Sequence, residues 1–177
     1  CCLKFDFIYH SVCFCTVRTN WGSSQTQACL FFCTFLLLPW GNDDTEQLIS
    51  ILAEYDVPAT FFVVGAWVDK YPESVKALSD AGHQIQNHSN THPYMSKLSA
   101  EQITDELESC NKKIENITGV RPNLLRPPYG DYNNCLIETT QSLDMYTIQW
   151  SVDSLDWKDN ATPDNIYQRV TSKVKNG

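Results

Sequence analysis

From Asp44 onward the apolar positions alternate between two rhythms. Leu48, Ile49, Ile51 and Leu52 form a stripe at helical spacing, preceded by Asp43 or Asp44 as a cap. After Pro58 the chain is almost uninterruptedly apolar through Val64, which predicts a strand buried on both faces. Pro72 opens a second helix with Val75 and Leu78 inward, and Gly82 closes it. Ile85 sits in a short strand. Ser99 starts the longest helix, which carries Ile103, Leu107, Cys110 and Ile114 and ends near Gly119. Leu124, Leu125 and Arg126 read as a short strand, residues 133–143 as helix and 146–152 as strand. Thr162 and Pro163 cap a last helix to about Val174, with Ile166 and Val170 inward. Short strands alternating with helices predict an α/β fold, its strands parallel and its helices outside. His88, Arg126 and Asp153 all fall at carboxyl ends of strands, where such folds gather their chemistry.

A length of 177 residues suits one buried core. The net charge of −8 argues against a nucleic-acid-binding face, which needs clustered Lys and Arg. Six of the eight cysteines lie in the first 33 residues, but their Cys-Cys and Cys-x-Cys pairs lack the spacing of a structural zinc site. No basic-then-apolar leader pattern is visible, and residues 30–38 supply only about half the apolar length of a membrane span. Composition changes abruptly at Trp40. Residues 1–39 are therefore expected to be an unmatched Cys-rich segment, out-of-frame or misassembled sequence rather than a native start. A genuine redox or metal module is the weaker alternative.

The densest chemistry is His88-Ser89-Asn90-Thr91-His92. Imidazoles four residues apart on a short helical or turn-like segment project the same way and suit zinc, cobalt or nickel. Alone, such a pair is as easily two polar surface side chains. Here Arg126-Pro127-Pro128-Tyr129-Gly130 and Asp153-Ser154-Leu155-Asp156-Trp157 follow it.

Together these stretches resemble the polysaccharide deacetylases, the NodB-homology carbohydrate esterases, over residues 40–177. Ala59 to Gly65 looks like the family's second strand, and Ala81 to Ser89 like its approach to the metal. Trp40-Gly41-Asn42-Asp43-Asp44-Thr45 is similar to the variant found in the peptidoglycan deacetylases of spore-forming bacteria. The resemblance implies an irregular (β/α) barrel, incomplete at both ends because the strand bearing the family's Leu-x-His is not found before Gly177. It implies His88 and His92 as metal ligands with Asp44 as the third, although an aspartate before a helix is also an ordinary cap; Asp43 is the reserve. Zinc is the expected metal, with cobalt or nickel possible. Arg126 resembles the arginine that orients the catalytic base, and Asp153 the aspartate that tunes an acid histidine. Tyr129 looks like the residue whose backbone N–H holds the oxyanion, and Trp157 would line the sugar cleft. Where the family carries its proton-abstracting aspartate, this chain has Leu37.

The implied activity is metal-dependent removal of N-acetyl groups from peptidoglycan or chitin-type sugars, expected to be impaired because neither the family's base aspartate nor its acid histidine is found in the sequence. The alternative is a non-catalytic carbohydrate- or metal-binding remnant. The expected partner is a polysaccharide, with no nucleic acid and no transmembrane segment, outside the cell or in its envelope.

Overall fold

The computed structural model describes residues 12–15, 33–38, 42–150, 152–156, 158 and 161–173. Six strands form one sheet in chain order: β1 (Val12–Cys15), β2 (Cys33–Leu38), β3 (Ala59–Val63), β4 (Gln84–Asn87), β5 (Leu124–Leu125) and β6 (Tyr146–Thr147). Strand β1 runs antiparallel to β2, and every pairing from β2 to β6 is parallel. The helices are α1 (Thr45–Glu54), α2 (Gly65–Lys70), α3 (Pro72–Asp80), α4 (Ala100–Thr118), α5 (Asn134–Ser142) and α6 (Pro163–Thr171). This is the expected α/β architecture.

Strand β3 shows why the apolar run predicted burial on both faces. Phe61, Phe62 and Val63 have no solvent exposure, as parallel strands covered by helices require. Leu52, Val75, Leu78, Cys110 and Ile114 pack with Phe61 and Val63 in one core, while Ile103, Leu107, Leu125, Leu136 and Met145 form a second. A smaller cluster joins Val152 to Ile166 and Val170.

Two elements depart from the expectation. Helix α2 was not anticipated; its first two N–H groups donate to the carbonyls of Ser89 and Asn90, so a neighbouring loop provides the partners that start it. Strand β6 is shorter than predicted. The Ile148 N–H still reaches Leu125, but the Trp150 N–H bonds to the Gln149 side-chain oxygen and leaves the ladder. Strand β2 crosses the expected boundary region in the other direction: it pairs with β3 from Thr34–Ala59 to Leu38–Val63. No helix among the described residues is long and apolar enough to cross a membrane.

Candidate active site

The histidine segment begins where β4 ends. The His88 N–H donates to the Val63 carbonyl, extending the ladder by one rung. The chain then turns rather than coiling: Ser89 (φ 66°) and His92 (φ 62°) are both left-handed, an uncommon state for residues with a Cβ. The buried Asn87 side chain braces this turn. Its Oδ1 accepts from the Ser89 N–H at 2.7 Å, while its Nδ2 donates to the Leu107 carbonyl and to Asn111 Oδ1. Ser89 Oγ accepts from the His92 N–H at 3.0 Å. Farther round, the N–H groups of Asn90 and Thr91 both donate to Glu106 on α4.

The turn brings the two rings together, with centroids 5.0 Å apart and planes at 71°. His88 Nδ1 lies 2.6 Å from the Arg126 carbonyl oxygen. That contact makes Nδ1 the protonated nitrogen and leaves the lone pair on Nε2, the arrangement in which a ligating imidazole is usually held. Burial pushes the His88 pKa down to about 3, aided by the charges of His92 and Arg126 and opposed by the bond to the carbonyl. Burial lowers His92 as well. Both rings are therefore neutral donors near pH 7.

Arg126 follows β5 on the same rim, its N–H donating to the Asn87 carbonyl. It is 2% exposed, and its guanidinium carbon sits 4.7 Å from the Trp150 ring centroid. Among the described residues its Nε and Nη1 are buried without a hydrogen-bond partner. Leu37, at the expected base position, lies next to last in β2, in register with Phe62, and so at the carboxyl end of its strand.

The remaining predicted residues are less gathered. Asp44 occupies the N-cap position of α1, half-buried, and its side chain makes no capping bond; Asp43 is exposed. No three His, Cys, Asp or Glu side chains come together as a metal site among the described residues. Asp153 accepts from the Leu155 N–H at 2.9 Å, and its carbonyl receives Arg169 Nε. Tyr129 is left-handed (φ 59°) and its exposed ring meets His92 edge-on at 4.7 Å and stacks on Tyr94 at 4.2 Å. Trp157 lies outside the described residues. His83 serves the fold, its Nδ1 accepting from the Ala59 N–H. Trp150, Tyr94 and Glu106 escaped the sequence reading. Only Glu106 carried a signal, as an acid at the edge of the apolar stripe of the longest helix.

A largely parallel α/β sheet thus carries paired neutral imidazoles and a buried arginine on its carboxyl rim. The chain belongs to the polysaccharide deacetylase family, whose model matches residues 26–148. It is 39% identical over 138 residues to the uncharacterized protein YlxY of Bacillus subtilis, covering 78% of this chain and 43% of that protein. Its identity to the peptidoglycan-N-acetylmuramic acid deacetylase PdaA of B. subtilis is 42% over 120 residues, or 67% of this chain and 46% of PdaA. Among solved structures it is similar to a CE4 family pseudoenzyme from Bacillus anthracis, with a TM-score of 0.78 and 36% identity, covering 81% of this chain and 50% of that one. A mutant of that pseudoenzyme is described as having restored enzymatic activity. The chain thus spans about half the length of the curated relatives it matches.

Proposed function

We propose that this chain carries the scaffold of a metal-dependent polysaccharide N-deacetylase whose hydrolytic step is impaired by Leu37. The observation that carries the reading is the Arg126 guanidinium, buried on the site's rim with Nε and Nη1 lacking a hydrogen-bond partner among the described residues. A cation in that state is costly, and a carboxylate at the position of Leu37 is the natural complement. Leucine offers no lone pair, so it can neither accept the proton of an attacking water nor satisfy Arg126.

The donor set fits a divalent ion of the zinc, cobalt or nickel type. Two neutral imidazoles converge, one with its tautomer fixed by a backbone carbonyl. His88 and His92 would hold it, with Asp44 proposed as the third donor on the family resemblance alone. When bound, such an ion polarises an amide carbonyl and lowers the pKa of water. The chain's own groups do the rest: the Tyr129 backbone N–H faces the developing oxyanion, and Arg126 orients the base where one exists. Asp153 tunes the protonating group, and Trp157 offers its ring to a sugar face. The substrate class is N-acetylated peptidoglycan or chitin-type polysaccharide, which places the protein at the cell envelope or outside it.

Acetate release from N-acetylglucosamine oligomers with added zinc or cobalt tests this reading. The parent chain is expected near background, and Leu37→Asp is expected to rise by about 10²-fold, the lower end of general-base assistance. Robust turnover by the parent would overturn the impairment.

A second reading is a sugar- or metal-binding remnant. The exposed Tyr94 and Tyr129 rings beside His92 favour it. Saturable oligosaccharide binding, with Leu37→Asp still inactive, would select it.

A further inference from the structure

We propose that Glu106 is the positioning residue of the histidine turn, a carboxylate clamp on α4 that fixes the convergence of His88 and His92 without touching either ring. The inference builds on the metal-site reading above.

Three hydrogen bonds from two consecutive residues meet this one carboxylate. The N–H groups of Asn90 and Thr91 donate to Oε2 at 2.8 Å each, and Thr91 Oγ1 donates to Oε1 at 2.7 Å. These two residues are the middle of the five-residue segment, between left-handed Ser89 and left-handed His92. Neither conformation is one that a side-chain-bearing residue keeps unaided, so the intervening peptides need external restraint. Adjacent N–H groups converging on one anion supply it.

Neighbouring contacts narrow what Asn90 can do. Lys113 Nζ, also on α4, donates to Asn90 Oδ1 at 2.7 Å and pairs with Asp69. The Ala66 N–H donates to the Asn90 carbonyl, and a Cβ on Gly65 would lie only 2.3 Å from Asn90 Oδ1. The turn is therefore wedged between the start of α2 and the outward edge of α4. Glu106 stands one residue before the buried Leu107 and four before the buried Cys110, so the packing of α4 sets where its carboxylate points. The clamp transmits the position of a rigid helix to a strained loop.

Glutamine is a discriminating replacement. Its single carbonyl oxygen can accept both N–H groups through two lone pairs, and its amide can donate to Thr91 Oγ1. Alanine can do neither.

The test compares the parent, Glu106→Ala and Glu106→Gln by amide hydrogen exchange and by zinc titration calorimetry. Protection at Asn90 and Thr91 should fall at least about tenfold in Glu106→Ala, with the α4 amides unchanged, and return in Glu106→Gln. Zinc affinity should fall by roughly 10- to 100-fold and recover in the same order, as for other groups that orient metal ligands. Should Glu106→Ala fail to fold, Thr91→Val, which removes one of the three bonds at an exposed residue, should lower both readings by a smaller factor. Unchanged protection and affinity in these variants would overturn the clamp. A parent that binds no zinc while its turn still loosens in Glu106→Ala would overturn the metal reading and leave the clamp standing.

Discussion

A proton on His88 would have to be held inside the protein, beside the charge of Arg126 and out of reach of water. Its folded pKa of about 3 lies below the 6.5 of the unfolded chain, so between those values the unfolded state binds the extra proton. The stabilising contribution of neutral His88 is complete above about pH 6.5 and is lost progressively as pH falls towards 3. Thermal unfolding midpoints should therefore decline through that window. His88→Asn should flatten the decline, leaving the part due to His83 and His92, whose pKa values burial also lowers. A midpoint that rises on acidification would contradict this account of His88.

At the scale of elements, α4 is the helix whose boundaries were most legible in the sequence. Ser99 starts it as expected, forming a reciprocal capping box with Gln102, and Gly119 ends the helix at φ 73°. Gly119→Ala forces a side chain into the left-handed region with open space around it, so the cost is conformational and should be about 1 kcal/mol. Urea unfolding would register that loss, and an unchanged midpoint would show that the helix end refolds around alanine. The elements the sequence concealed share one cause. Helix α2 starts on carbonyls supplied by residues 89 and 90, and β6 stops where a side chain captures the next N–H. Neither event leaves a periodic trace in the local sequence, because each depends on a partner distant along the chain or on a single rotamer.

Across the whole molecule, the parallel sheet was predictable from alternation alone, and His88 and Arg126 do follow the carboxyl ends of β4 and β5, whereas Asp153 lies six residues beyond the end of β6. The convergence of His92 on His88 was foreseen from spacing, yet it arises from two left-handed residues and not from a helical turn. The Trp150 ring beneath Arg126 was invisible, since nothing local couples residues so far apart. Metal binding offers a global test of the site. A ligand that binds only the folded chain stabilises it by RT ln(1 + [L]/Kd), about 2.7 kcal/mol at one hundred times Kd. Zinc at that excess should raise the unfolding midpoint by several degrees in the parent and not in His92→Ala. Asp44→Ala should diminish the effect if that carboxylate completes the ligand set; an undiminished shift would leave the histidines with another third donor.

The contact between His88 and residue 126 is made through main-chain oxygen, which every amino acid possesses. The guanidinium is thus unconstrained by the histidine and rests on the indole of Trp150, holding charge in reserve where little water reaches. On the proposed reading, an aspartate introduced at Leu37 is expected to find its counter-charge in Arg126, whose buried Nε and Nη1 have no hydrogen-bond partner among the described residues.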